Sequence, residues 1–384
     1  MLSARHYPTA LVRPCKRRCL SSFAHPDPLQ PTTPPDDAPK PPYNILFFGA
    51  DSFSCDVFKR VHEARTDLVD QITVVTPPDQ RTGRKLREVH RPPLRLLAEE
   101  LNVPSIALPK TLLKGWQPPD LFLPSPSTPL STPPSARNLL LTASFGHLIP
   151  SALLSLFRPL NALNVHPSLL PKWRGAAPIQ HGIMSGEADE AGGMGVTVQE
   201  LSRGRFDQGR ILGQQVVDVP PDADFLTLEP ILARAGGNLL ASLLLDLSSA
   251  QASATLQDAS QATLAPKLHK HSAHVDWATM TGDQVLRLQR GVGHQYPLWT
   301  SLPTASTTLQ LLLSPLLTPL PTPLVSRPSG SVTFDAHRKE LVVRCADAHV
   351  GVVVERVKKE GGRWVEAREW WNGVGRKGAE VVLQ

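Results

Sequence analysis

The sequence has few cysteines, and their positions exclude the structures that cysteines usually build. Of 384 residues only 4 are cysteine. Cys15 and Cys19 lie near the start of the chain, whereas Cys55 and Cys345 are far apart in sequence. This spacing excludes a disulfide framework and a paired zinc knuckle, so it favours a reducing compartment.

The sequence also lacks long apolar runs, spaced glycines and clusters of metal ligands. No apolar window reaches the length of a membrane-spanning helix, so we expect a soluble protein with no membrane partner. The segment around Gly49 lacks the spaced glycines of a dinucleotide fingerprint, which argues against a nicotinamide cofactor. His269, His271 and His274 have no cysteine or carboxylate at matching spacing, so we expect no metal site.

Acidic residues are missing from the first 26 positions, where basic residues are common. The basic side chains there are Arg5, Arg13, Lys16, Arg17 and Arg18. An Arg-rich, Ser-containing, acid-poor segment is typical of a mitochondrial transit peptide, the alternative being a disordered basic tail. This segment supplies most of the formal net charge of +6. A prediction of nucleic-acid binding must therefore depend on local basic patches in the rest of the chain.

The middle of the chain alternates strand and helix patterns. Short apolar runs at 43–50, 71–75, 138–143 and 162–165 are separated by segments with helical periodicity. This alternation predicts βαβ units, and hence an α/β fold with a mostly parallel sheet covered by helices on both faces. In such sheets ligands bind beyond the carboxyl ends of the strands.

After a long apolar helix predicted over 225–249, the pattern changes to short strands joined by Gly- and Asp-containing turns. We therefore expect a transit peptide over 1–26, a Pro-rich linker over 27–42, an α/β catalytic domain over 43–249, a linker over 250–264 and a small all-β domain over 265–384. The segments 118–136 and 314–329 are rich in Pro, Ser and Thr, which is typical of surface insertions.

A candidate site lies where the strand at 162–165 ends. Because side chains alternate along a strand, Asn164 and His166 point to the same side. Pro167 and Pro171 stiffen the loop that follows, so its main-chain groups can recognise a planar ligand. Asp207, in a Gly-flanked turn between the strand-like runs 195–201 and 209–219, is the best candidate for a third member.

An Asn–His–Asp group without a Ser or Cys nucleophile suits transfer of a carbonyl-containing group to an amine. Asn164 and protonated His166 can stabilise the tetrahedral oxyanion. Asp207 can favour the imidazolium or accept the proton of the amine. For an isolated N-x-H spacing the stronger interpretation is that both side chains only satisfy loop backbone groups.

The longer motifs favour a catalytic role for these residues instead, because the motifs resemble those of the folate-dependent formyltransferase family. LNVHPSLLPKWRGAAPIQHGI and the following GVTVQELSRGRFDQGRIL are both similar to motifs of that family. NILFFGADSFS, VTPPDQRTGRK, ASFGHLIP, LAPKLHKHSAHVDW and GGRWVEAREWWNG extend the resemblance over roughly residues 43–384, apart from the two Pro-rich insertions. The WRGAAPI element looks most like the branch whose acceptor is methionyl-tRNA.

The resemblance implies a fold and an activity. Enzymes of the family transfer the formyl group of 10-formyltetrahydrofolate to an amine, which in this branch is that of methionine on the initiator tRNA. The implied fold is a Rossmann-like domain followed by an OB-like barrel that binds tRNA. With the transit peptide, this implies a monomeric enzyme of the mitochondrial matrix that supports translation initiation.

The resemblance also implies roles for individual residues. By motif position, Asn164, His166 and Asp207 match the catalytic trio of the family. The implied cofactor-binding residues are Ser168, Leu169, Leu170 and Pro171 of the folate-contacting loop, with Phe145 and Gly146 near the pterin pocket. Residues 81–91 match a basic loop that in the family enters the end of the acceptor stem, so Arg81, Arg84, Lys85 and Arg87 are implied to bind tRNA. The alternative is that this basic loop is an ordinary solvated loop.

Two other functions stay open at this point. Position 167 is Pro, where close relatives in the branch often have Gly, which leaves a small amine such as glycinamide ribonucleotide or an amino sugar as an alternative acceptor. A third interpretation is a non-catalytic RNA-binding protein on the same scaffold, and the complete set of Asn164, His166 and Asp207 argues against it.

Overall fold

The computed structural model describes residues 39–384 except 65–67, 83–86, 126, 128, 130, 305–307, 317–319, 322–325, 348 and 375–380. The expected transit peptide and most of the Pro-rich linker therefore lie outside the described residues, as do parts of both expected insertions. Arg84 and Lys85 of the basic loop lie outside them as well.

The strands, in chain order, are β1 (Tyr43–Phe48), β2 (Val69–Thr76), β3 (Gln80–Thr82), β4 (Glu88–His90), β5 (Ser105–Ala107), β6 (Asn138–Ala143), β7 (Ala162–His166), β8 (Arg174–Gly175), β9 (Gly195–Glu200), β10 (Ile211–Val216), β11 (Leu264–Ala265), β12 (Trp299–Pro303), β13 (Thr308–Leu316), β14 (Leu320–Pro321), β15 (Val332–Asp335), β16 (Glu340–Arg344), β17 (Val350–Lys359) and β18 (Trp364–Glu366).

The α-helices are α1 (Ser52–Glu63), α2 (Pro93–Glu100), α3 (Ser151–Leu154), α4 (Pro178–Ser185), α5 (Phe225–Leu245), α6 (Leu247–Ala252), α7 (Gly282–Val292) and α8 (Ala367–Val374). Local chemistry sets several of their ends. Asp51 caps α1 by accepting a hydrogen bond from Ser54 N at 3.1 Å. Pro93 stands in the first turn of α2, where its missing N–H costs nothing.

A seven-stranded sheet forms the first half of the described chain, in the order β10-β9-β7-β6-β1-β2-β5. The strands from β7 to β5 are parallel, whereas β9 and β10 are antiparallel to their neighbours. Every residue of β1 and of β6 is buried, as expected for central strands covered on both faces. Because β6 and β7 are parallel neighbours, the residues after Ala143 and His166 come to the same edge of the sheet.

Helix α5 corrects one sequence-based expectation. It has 21 residues and contains an 18-residue window with a mean hydropathy of 1.2, so it is long and apolar enough to cross a membrane by length and composition. The expectation that no such window exists is therefore wrong. In this structure Leu228, Leu232, Leu240 and Leu244 belong to the buried core beside the first sheet. One face of the helix is therefore packed inside the protein.

The second sheet is antiparallel, in the order β12-β13-β17-β16-β15, with β14 and β18 also paired to β17. Its two edges are joined by residues 381–384. Ser301 of β12 exchanges two backbone hydrogen bonds of 2.8 Å with Gln384, and Val332 N of β15 donates to Val381 O at 2.9 Å. These last residues thus close the sheet into a barrel around its own hydrophobic core. The predicted fold class, a mostly parallel α/β sheet followed by a small all-β domain, is confirmed.

Candidate active site

A cavity of about 450 Å³ opens at the carboxyl ends of β6 and β7. Asn164, His166 and Asp207 all line it, as do Phe145 and Gly146. The structure therefore brings the three polar residues of the predicted site together, although Asp207 is distant from the other two in sequence. This is the edge at which ligands bind in sheets of this kind.

Asn164 is oriented by a hydroxyl on the neighbouring strand. Thr142 of β6 stands directly opposite Asn164 of β7 in the sheet register. Its hydroxyl donates to Asn164 Oδ1 at 2.7 Å. Because the amide oxygen is engaged in this way, the amide N–H groups of Asn164 are left as donors for a ligand in the cavity.

The ring of His166 is held in place through its Nδ1 atom. It is 4% exposed, and its Nδ1 lies 2.9 Å from Ser168 Oγ. That hydroxyl donates its hydrogen to Lys172 O at 2.7 Å, so Nδ1 must carry the hydrogen it shares with Ser168. Nε2 faces Asp207 Oδ2 at 3.5 Å, which is an ion-pair distance but longer than a hydrogen bond. Among the described residues, buried Nε2 has no hydrogen-bond partner.

Asp207 is held by N–H donors on both carboxylate oxygens. Gly175 N donates to Oδ2 at 2.9 Å, and Gln199 Nε2 donates to Oδ1 at 3.0 Å. Burial raises the pKa of the Asp207 carboxyl, but the nearby charge of His166 and the two donors outweigh it, so the pKa lies below its ordinary value of 3.8. The carboxylate is therefore ionised at neutral pH.

Phe145 and Gly146 form part of the cavity wall after β6. The ring of Phe145 is buried and packs edge-on against Phe48, with 5.1 Å between centroids. Gly146 has a φ of +73°, a conformation that residues with a side chain rarely adopt. Together they give a fixed apolar turn beside the polar trio, which suits a flat aromatic ligand.

The loop over 168–171 makes hydrogen bonds within the protein. Ser168 and Leu170 are buried, and the residues lining the cavity do not include this loop. Thr197 Oγ1 donates to Ser168 O at 2.7 Å and accepts from Leu170 N at 3.0 Å. Gln214 Nε2 donates to Leu170 O at 2.8 Å. These main-chain groups are thus engaged within the protein, and the Ser168 hydroxyl supports His166. The folate contacts expected of Ser168, Leu169, Leu170 and Pro171 stay predictions.

The described ends of the basic loop lie at a two-stranded hairpin. β3 and β4 pair in antiparallel fashion, with Arg81 opposite Val89. Arg81 and Arg87 are both exposed. Arg84 and Lys85, which lie between them in sequence, are outside the described residues. The hairpin thus presents the described ends of the basic loop to solvent.

Sequence reasoning missed the residues that hold the trio in place. Thr142 and Gln199 could have been found, because each is a polar residue at a buried position of a mainly apolar strand. Gln257 has no local signal, since its contacts with the Asp207 turn arise only on folding. Within the part of the chain that is described, no group of three or more His, Cys, Asp or Glu side chains could hold a metal ion.

Known proteins resemble this chain along both halves. Residues 43–244 match the family described as formyl transferase, and residues 267–375 match the C-terminal domain of formyl transferase. The chain is 31% identical over 341 residues to the mitochondrial methionyl-tRNA formyltransferase of Homo sapiens, covering 87% of this chain and 78% of that protein. The methionyl-tRNA formyltransferase of the bacterium Halalkalibacterium halodurans is 32% identical over 263 residues, which cover 67% of this chain and 75% of that protein.

A solved structure is similar in fold. The N-formyltransferase from Helicobacter canadensis, in complex with folinic acid and dTDP-3-aminofucose, superposes with a TM-score of 0.51 at 13% identity. The match covers 81% of this chain and 98% of that one. At this identity the likeness concerns the fold alone. With one family match spanning more than half of the sequence and relatives above 30% identity over most of their length, this chain belongs to the formyl transferase family.

Proposed function

We propose that this protein transfers the formyl group of 10-formyltetrahydrofolate to the α-amino group of the methionine on initiator methionyl-tRNA. The observation that carries the proposal is the convergence of Asn164, His166 and Asp207 on one cavity in a chain of the formyl transferase family. The relatives at about 31% identity are named methionyl-tRNA formyltransferases, which favours this acceptor over others.

The trio suits each stage of such a transfer. The amine nitrogen attacks the formyl carbon, and the oxyanion that develops accepts hydrogen bonds from the Asn164 amide and from His166 in its protonated form. The ionised Asp207 stabilises that positive charge across 3.5 Å. When the intermediate collapses, the bond from carbon to N10 of the folate breaks. The amine gives up one proton and N10 receives one, so the formyl group and a hydrogen change places.

Location and tRNA contact are also part of the proposal. The mammalian relatives are mitochondrial proteins, and the Arg-rich segment 1–26 fits import into the matrix. We propose that Arg81, Arg84, Lys85 and Arg87 approach phosphates of the acceptor stem, and that the β-domain, expected over 265–384, binds the rest of the tRNA. The domain boundaries 43–249 and 250–264, the monomeric state and the absence of a membrane partner stay predictions.

The first experiment is an acceptor assay with the full chain. We expect formylation of charged methionyl-tRNA with 10-formyltetrahydrofolate, and a kcat about 1000-fold lower or more in Asp207→Asn, because the imidazolium then lacks its counter-charge. Folate binding should survive in that variant, as calorimetry can check. Asp218→Asn, which alters an exposed carboxylate, is the matched control.

The other acceptors give the outcomes that would contradict the proposal. Activity on glycinamide ribonucleotide or an amino sugar, without activity on methionyl-tRNA, would assign the same chemistry to a small amine. Tight RNA binding with no transfer to any amine would favour the non-catalytic interpretation.

A further inference from the structure

The segment after α6, expected to be a linker, is fastened to the candidate active site on both sides of Gln257. On one side, Thr255 and Ile211 exchange backbone hydrogen bonds of 3.0 and 2.8 Å. On the other, β11 pairs with β8, which contains Gly175, one of the donors to Asp207. Gln257 is therefore held in a defined position beside the Asp207 turn.

The side-chain amide of Gln257 binds several groups of that turn. Its Nε2 lies 3.1 Å from Asp207 O, 2.8 Å from Gly209 O and 3.0 Å from Gln199 Oε1, so two hydrogens are shared among three acceptors. Its Oε1 accepts from Arg174 Nε at 2.9 Å and from the Nη2 group of Arg174 at 2.6 Å. A charge-assisted, two-point contact of this kind fixes the orientation of the amide.

The Asp207 turn needs such support. Asp207 has a φ of +53°, which residues with a side chain adopt only where their surroundings enforce it. Gln257 holds the main-chain carbonyls of Asp207 and Gly209, and so it fixes the turn on both sides of Gln208. Through Gln199 it also fixes the donor that binds the carboxylate, since Gln199 Oε1 accepts from Gln257 while Gln199 Nε2 donates to Asp207 Oδ1.

We propose that Gln257 is a positioning residue that acts through Asp207, in a chain of hydrogen bonds from Arg174 through Gln257 and Gln199 to the carboxylate. The role is assigned within the formyl transfer proposed above. Gln257 itself does not line the cavity, so it affects turnover through the placement of the carboxylate beside His166. Its loss lowers kcat and leaves the KM values for folate and acceptor near those of the wild type.

A double-mutant cycle in the full chain tests this. Gln257→Met keeps the length of the side chain and removes its polar atoms, and we expect kcat to fall between about tenfold and 100-fold, as small misplacements of catalytic groups do. In an Asp207→Asn background the same change should have almost no further effect, because the residue that it positions is already disabled. An equal loss of kcat in both backgrounds, or no loss in the wild type, would overturn the proposal.

Gln251→Met is the matched control. The Gln251 amide likewise donates to a backbone carbonyl and to an amide oxygen, Leu160 O at 3.2 Å and Asn161 Oδ1 at 2.9 Å, but at the opposite end of β7. We expect its kcat to match that of the wild type. The ring-nitrogen chemical shifts of His166 give a readout that does not need turnover.

Those shifts should move in Gln257→Met toward their values in Asp207→Asn, and they should not move in Gln251→Met. Shifts in Gln257→Met that equal those of the wild type would overturn the positioning role even if the acceptor proves to be a small amine. Failure of the wild type to formylate methionyl-tRNA, by contrast, bears only on the proposed function.

Discussion

The polar residues of the cavity owe their chemistry to the side chains behind them. Asn164 offers N–H groups because Thr142 occupies its oxygen, and His166 directs Nε2 toward Asp207 because Ser168 engages Nδ1. Asp207 stays ionised although it is buried, because two N–H groups and the imidazole face it. A substitution that removes one of these supporting groups should therefore change catalysis through its effect on the trio.

Thr142 provides the clearest case. Thr142→Val keeps the shape but removes the hydroxyl, so the Asn164 amide loses the partner that fixes its orientation. We expect kcat to fall on the order of tenfold, less than the ~100-fold or larger loss that follows removal of an oxyanion donor itself. Steady-state kinetics on the full chain measure this. Thr142→Ser retains the hydroxyl and should keep most of the activity, and equal losses in Ser and Val would contradict the orienting role.

The ionisation of Asp207 should also appear in the pH dependence of stability. Its pKa in the folded protein is below the ordinary 3.8, so its contribution to stability is present above that value and is lost as the pH falls through the folded pKa. The gap in melting temperature between the wild type and Asp207→Asn should therefore be widest near neutral pH and close in strong acid. Asp218→Asn should show no comparable gap at neutral pH. A gap between the wild type and Asp207→Asn that does not vary with pH would mean that the carboxylate is not stabilised in its charged form.

At the scale of elements, apolar runs predict the central strands well. β1 and β6 correspond to short, mainly apolar runs in the sequence, and such runs are stable only where both faces of the strand are buried. The closure of the barrel could not be predicted, because residues 381–384 join its edges by pairing over large sequence separations. The internal partners of the 168–171 loop could not be predicted for a similar reason, since Thr197 and Gln214 reach its main chain from other strands. The folate contact expected of this loop stays a prediction.

The β3–β4 hairpin is the element for which an electrostatic prediction can be made. Arg81 and Arg87 are exposed at its described ends. If they meet tRNA phosphates, the double substitution Arg81→Ala and Arg87→Ala should weaken binding. It should also reduce the slope of log affinity against log salt by about one for each phosphate that an arginine no longer neutralises. Filter binding of methionyl-tRNA over a salt series gives the slope.

The control for the hairpin carries the same change in charge elsewhere. Lys59 and Arg60 on α1 form ion pairs within their own helix, and replacing both with Ala should leave the salt slope nearly unchanged. If both double variants lowered the slope equally, the effect would come from net charge rather than from the hairpin.

At the scale of the whole molecule, the first half of the described chain and the core of the barrel, here called the second core, are joined by more than a chain connection. Helix α4, from the first half, packs against α7, and the second core includes Ala177 at the start of α4. Asp189 binds the guanidinium groups of Arg287 and Arg290 at 2.8 to 2.9 Å. These contacts fix the barrel relative to the cavity. A variant that disrupts the barrel should therefore impair formylation of tRNA more than it changes the arrangement of the trio.

Leu383 tests the closure of the barrel, because it lies in the segment that joins the barrel's edges. Its side chain is 4% exposed, and its backbone N–H donates to Gly330 O at 2.9 Å. Leu383→Ala leaves that backbone bond and removes buried methyl groups, so it should destabilise the protein by about 2–5 kcal/mol. Val382→Ala, one residue earlier and less buried, should cost clearly less. Calorimetric unfolding of both variants measures the difference, and equal small shifts would show that these residues do not hold the barrel closed.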